Sequence, residues 1–166
     1  MLRLSFLIAC LLLESVGQLP STKEWRGLSP IISTRADVER VLGPPSRNDD
    51  NQLLTYDFPD VVVFIGFSAN WKCEQKLPYT SWNVTADTVT GIRVNLKRQV
   101  LISESGIDLT KLKKIKGDYD VAGHFYYSNT EDGFSVNAGS EYIKGYIYEP
   151  ASKHSSLRCP ANKQIR

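Results

Sequence analysis

Residues 107–117 read IDLTKLKKIKG, and the period of that stretch decides how the chain is assembled. Leu109, Leu112 and Ile115 recur at every third position, Asp108 stands where a helix cap belongs, and Gly117 follows as a terminator. Together they predict a short amphipathic helix whose wet side is Lys111, Lys113, Lys114 and Lys116. Residues 33–45, STRADVERVLGPP, carry the same plan. Thr34 and Asp37 have capping-box spacing, and Val38, Val41 and Leu42 form one apolar face. Arg35 with Glu39, and Asp37 with Arg40, place opposite charges at helical-neighbour spacing. Gly43 then supplies the C-terminal turn, and Pro44-Pro45 forbid continuation.

Strand signals follow each predicted helix. After the polar loop SRNDDNQ, Leu53 to Phe58 and Val61 to Phe67 are β-branched and aromatic runs broken by Pro59-Asp60, which predicts a hairpin. A long irregular segment, 68–88, precedes a third strand over Val89 to Asn95. In the second half HFYYSNTEDGFSVN predicts a hairpin turning at Asp132-Gly133. YIKGYIYEP is its third strand, with Gly145 in the place of Gly91. The expected organisation is a lead-in over 18–32, a helix-plus-three-strand unit over 33–100, a second over 101–159, and a tail over 160–166. Two such units side by side predict an α+β protein, with both helices on one face of a continuous antiparallel sheet.

The ends and the composition bound the function. Hydrophobic residues at 42%, charged residues at 23% and a formal charge of +2 describe an ordinary globular chain, too mildly basic to hold nucleic acid by charge alone. Arg3 followed by the apolar run Leu4 to Leu13, with Ser15 and Gly17 beyond it, has the layout of a secretory signal peptide over residues 1–17. The competing reading is a lipobox at Leu7-Ile8-Ala9-Cys10, anchoring the protein through an acylated Cys10. The apolar run continues past that cysteine, which favours cleavage and a secreted or periplasmic chain with no integral membrane segment. Cys73 and Cys159 then remain, and an even pair in an exported protein points to a disulfide closing a loop of 86 residues.

No stretch assembles a catalytic constellation. Ser68 and Ser135 sit in GFSAN and GFSVN, where Asn replaces the second glycine of a nucleophile elbow. His124 and His154 are the two imidazoles and neither lies in a partner pattern. Asp118 and Asp120 imitate the start of a calcium loop, but Ala122 and Asn129 break its ligand set, and two cysteines without nearby histidine make no zinc site. We therefore expect no metal, no cofactor and no enzymatic activity. Trp71, Tyr79 and Trp82, concentrated in the long irregular segment, are the candidate binding residues. They would either stack on a sugar or a protein partner, or pack beneath their own loop. Asn83-Val84-Thr85 fits a glycosylation sequon.

The stretches WRGLSPIISTRADVERVLGPP, WNVTADTVTGIRV and the terminal LRC resemble a group of small secreted bacterial proteins with no assigned function, across residues 25 to 159. The T-R-x-D-V-x-x-x-L-G-P-P opening followed by a hairpin is also similar to the SmpA/OmlA envelope lipoproteins and to the beta-lactamase inhibitory protein fold. The likeness to the inhibitory-protein fold implies a tandem of helix-plus-sheet units, while the leader, the cysteine pair, the repeat and the lack of a catalytic constellation lead us to expect an exported protein- or envelope-binding module. A carbohydrate-binding module using the loop aromatics and a small hydrolase with a spatially assembled site are the alternatives.

Overall fold

The computed structural model describes residues 21–69, 73, 81–115 and 125–160. The leader with Cys10, the ring-bearing Trp71 and Tyr79, Lys116, the acidic stretch 118–123 and His124 lie outside the described residues.

The first amphipathic segment is a helix, α1 (Arg35–Leu42). Its capping box closes as the sequence requires: the Thr34 N–H donates to Asp37 Oδ2 at 2.9 Å, and the Asp37 N–H donates to Thr34 Oγ1 at 3.3 Å. Gly43 ends it at φ 77°, a conformation that costs glycine nothing. Val38 is fully buried, while Val41 is 40% exposed, so the buried stripe is narrower than its three apolar residues suggest. Arg40 pairs with Asp37. Arg35 instead reaches across to Asp87 at 2.7 Å, donates to the Asn51 carbonyl and lies 4.1 Å from the centre of the Phe67 ring. One guanidinium thereby clasps the helix to the sheet.

Eight strands follow: β1 (Arg47–Asp50), β2 (Leu53–Asp57), β3 (Val61–Phe67), β4 (Val89–Leu101), β5 (Lys113–Ile115), β6 (Phe125–Asn129), β7 (Phe134–Ala138) and β8 (Tyr142–Tyr148). They form one antiparallel sheet in the order β1-β2-β3-β4-β8-β7-β6-β5. Each half is a four-stranded meander, and the halves meet where β4 pairs with β8. Register explains which side is dry, because alternate residues of a strand face opposite ways. One cross-strand row runs Leu54, Ile65, Ile92, Tyr148, Phe134; the next on the same face runs Tyr56, Val63, Val94, Tyr146, Val136, Tyr127. All but Tyr146 and Tyr127 in those rows are buried. Each fully buried aliphatic side chain contributes about 1.5–3 kcal/mol. Two covers pack on this one core: Val38 and Leu42 of α1 with Leu28 and Trp25, and a later segment that supplies Ile102, Ile107, Leu109 and Leu112.

That second cover corrects the expected α+β arrangement. The described part of the stretch 107–117, residues 107–115, holds no α-helix. Leu109–Lys111 make a single 3-10 turn, after which the chain extends into β5 as an edge strand. The sheet dominates, with α1 as the one α-helix among the described residues, and tandem helix-plus-sheet units of the inhibitory-protein type do not describe it. The apolar period supplies the reason. A spacing of strictly three eclipses side chains in a 3-10 turn but drifts around an α-helix, which needs a four-residue step as well. Asp108 does cap, accepting from the Thr110 N–H at 3.0 Å, but it caps the tighter turn. Leu109 and Leu112 still pack on the core, whereas Ile115 is 39% exposed. From Lys113 onward the unpaired edge of β6 offers three cross-strand partners, and Lys114 sits 3.5 Å over the Phe125 ring. Backbone pairing outweighs the propensity of the lysines.

Candidate binding clefts on the open sheet face

The other side of the sheet carries the remaining alternate positions. Its central row reads Arg47, Thr55, Phe64, Arg93, Ile147, Ser135, Ser128, Lys113, one residue from each strand. Phe64 and Ile147 are half-buried and Arg93 between them is exposed. In the adjoining row Leu53, Gly66 and Gly91 stand opposite one another. Two glycines facing each other leave a floor of bare backbone. A methyl group on either would meet only ordinary contacts, 3.5 Å to Thr90 Oγ1 from Gly66 and 3.7 Å to the Tyr148 carbonyl from Gly91, so the packing does not demand glycine there. Beside this floor the register of β3 and β4 shifts between Gly66 and Phe67, leaving Thr90 as the extra residue of a bulge. Bulges re-aim side chains.

The result is a cleft of about 420 Å³ lined by Leu53, Phe64, Thr90, Arg93, Asn95 and Ile147 among others. A second, of about 370 Å³, is lined by Trp82, Ser128, Thr130, Ser155 and Arg158. Thr90 and Glu149 line both, so the two adjoin. The wall of the second is built from two distant pieces of chain. Trp82 and Arg158 form an isolated β-bridge, flanked by hydrogen bonds from the Asn83 N–H to the Leu157 carbonyl (2.7 Å) and from the Cys159 N–H to the Ser81 carbonyl (2.8 Å). The Arg158 guanidinium lies 6.0 Å from the Trp82 ring centre. Cys159 is joined to Cys73 by the disulfide, with Cα atoms 5.2 Å apart, so the wall is covalently fixed.

Of the three candidate aromatics, the structure places Trp82, half-buried, in this wall; Trp71 and Tyr79 lie outside the described residues. Phe64, Thr90, Arg93, Ile147, Glu149 and Arg158 are cleft residues that sequence reasoning missed. Their one signal was position: all but Glu149, which follows β8 directly, are strand or bridge residues on the non-core side. The elbow-like serines are structural. Ser68 Oγ donates to the Thr85 carbonyl at 2.5 Å and accepts from the Thr88 N–H at 3.0 Å, while Ser135 is buried mid-strand. His154, half-buried in the 3-10 turn Ser152–Leu157, has no hydrogen bond to its ring among the described residues. Asn83 of the sequon is exposed.

The charges of the clefts are unspent. Arg93, Glu149 and Arg158 are all exposed, and none makes an ion pair among the described residues. Beneath them, burial with the added influence of Tyr146 holds the Tyr148 phenol far above its ordinary range, so it stays neutral. Its hydroxyl is buried without a partner among the described residues. Among the described residues no three His, Cys, Asp or Glu side chains gather as metal ligands would, and no helix is long and apolar enough to cross a membrane.

No protein-family model matches the chain, and no curated protein matches it. Among solved structures, the crystal structure of YjgB, a DUF4309 family protein from Bacillus subtilis subsp. subtilis str. 168, superposes with a TM-score of 0.50 at 14% identity. The match covers 78% of this chain and 85% of that one, and the likeness it shows is one of fold.

Proposed function

We propose that this chain is an exported, non-enzymatic binding module that works outside the cytosol, and that the open face of its sheet is the binding surface. The observation that carries the proposal is the exposed, unpaired Arg93 held between Phe64 and Ile147 beside a glycine floor, on a sheet whose other face is sealed by α1 and the 102–112 segment. A solvent-facing guanidinium flanked by apolar side chains is characteristic of recognition surfaces rather than of cores. The signal-like leader and the disulfide support an oxidising compartment. Binding is favoured over catalysis because no nucleophile is hydrogen-bonded to a histidine among the described residues.

The test is affinity capture from a cell-envelope extract, comparing residues 18–166 with the double variant Phe64→Ala, Arg93→Ala. The expected result is a partner retained by the wild type and lost by the variant, with circular dichroism and the disulfide unchanged. Equal retention by both moves the surface elsewhere, and no reproducible partner removes the binding role.

A further inference from the structure

We infer that the two adjoining clefts together take a carboxylate-bearing glycan, with Arg93 and Arg158 meeting acid groups and Trp82 lying against a sugar ring. This rests on the open face being the binding surface and specifies what it binds.

The floor and walls set the chemistry. The floor crosses β3, β4 and β8, interior strands of the sheet, so it offers no free sheet edge to an extended peptide. Recognition there must come from side chains. Those of the second cleft include the hydroxyls of Ser128, Thr130, Ser152 and Ser155, each able to donate or accept. A ligand matched to that set carries many hydroxyls of its own. Trp82 adds a ring face that can cover the apolar side of a sugar, with Arg158 already beside it. The bare backbone at Gly66 and Gly91 admits a flat ring close to the sheet.

The charges narrow the class further. Arg93 and Arg158 have no carboxylate partner among the described residues, and guanidinium groups bind carboxylates in bidentate geometry. Arg93 lies three residues along β4 from Thr90, roughly 10 Å, with the second cleft beyond, so the two cations fit acid groups spaced over more than one sugar. Glu149, common to both clefts, can accept from the hydroxyls that a sugar offers. Volumes of about 420 and 370 Å³ are each of small-ligand size.

The probe is polygalacturonate, with dextran as its neutral counterpart, in affinity electrophoresis and by the change in tryptophan fluorescence. The expected outcome is retardation by polygalacturonate and not by dextran, with Arg93→Gln and Arg158→Gln each weakening it about tenfold, the scale of a lost charge-assisted hydrogen bond. Arg98→Gln, which removes the same charge from an exposed β4 position outside the clefts, leaves it unchanged. Trp82→Phe abolishes the fluorescence change on binding. Equal loss in the Arg98 variant, or equal retardation by dextran, overturns the inference. If envelope capture depends on Arg93 but polygalacturonate does not bind, the ligand class is wrong and the surface stands. If neither depends on Arg93, the surface falls with it.

Discussion

The two four-stranded halves share a core face and differ on the open one. Their seam defines the correspondence: Ile92 pairs with Tyr148 and Val94 with Tyr146, so exchanging the halves carries Ile92 to Tyr146, Val94 to Tyr148 and Gly91 to Gly145. The same exchange carries Val63 to Phe134 and Ile65 to Val136, all buried. On the open side it carries Phe64 to Ser135, Gly66 to Asn137, Leu53 to Tyr126 and Arg93 to Ile147. Of the two floor glycines one keeps its counterpart, Gly145, and the other is matched by Asn137, so a pair of facing glycines exists over the first half alone. Burial constrains a residue to be apolar and of the right size. Facing water it is free to take on chemistry, and there the halves part.

The largest effect should come from the link that spans the halves. Replacing Cys73 and Cys159 by serine removes a closure of 86 residues, for which chain entropy gives roughly 4–5 kcal/mol at most. Denaturant unfolding should show that loss, and Trp82 fluorescence should change with it as the cleft wall loosens. A drop below about 1 kcal/mol would mean the bridge constrains neither half.

The matched glycines are a sharper probe. A methyl group at Gly145 would sit 2.3 Å from the Val94 carbonyl, whereas at Gly91 it finds its nearest neighbour at 3.7 Å. Gly145→Ala should destabilise by about 1–3 kcal/mol or more, the cost of overpacking against rigid backbone. Gly91→Ala should stay within about 1 kcal/mol in either direction. Equal effects would show that the two sides of the seam are alike after all.

The two capped turns give the smallest contrasts. Thr34→Ala removes one bond of the α1 capping box and should cost about 1 kcal/mol in thermal unfolding. Asp108→Ala, at a single 3-10 turn, should shift the midpoint less. The Thr34 backbone N–H, then Arg40, then the Thr34 hydroxyl, lower the Asp37 carboxyl from 3.8 to about 2. A carboxyl lowered on folding stabilises fully above its unfolded value, and that stabilisation fades as pH falls through the folded one. The wild type should thus lose α1 stability between about pH 4 and pH 2, and Asp37→Asn should lack that part of the acid transition.

Where local rules and tertiary needs agree, the sequence was legible. VVVFIGF, with alternate residues buried, and the Thr34–Asp37 box are determined within a few residues, and both stand in the structure. β1, RNDD, was hidden because nothing in it is apolar; it is a strand through pairing with β2, where Thr55 donates to Asp49 at 2.5 Å. Residues 107–117 misled because a period of three satisfies two kinds of turn, and the choice between them lay with the edge of β6. The clefts were illegible for a related reason. Phe64, Arg93 and Ile147 are neighbours only through register, and no local pattern states which residue of one strand will stand opposite which residue of another.

The seam between β4 and β8 also bears on how the chain finds its partner. Its hydrogen bonds join strands whose intervening meander can form on its own from neighbouring hairpins, so closing it is the long-range step of folding. The β4 edge of one molecule would accept the β8 edge of another equally well, which is how exchanged dimers arise. The bridge from Cys73 to Cys159 keeps a molecule's own second half at high local concentration, and so biases that choice toward the closed monomer.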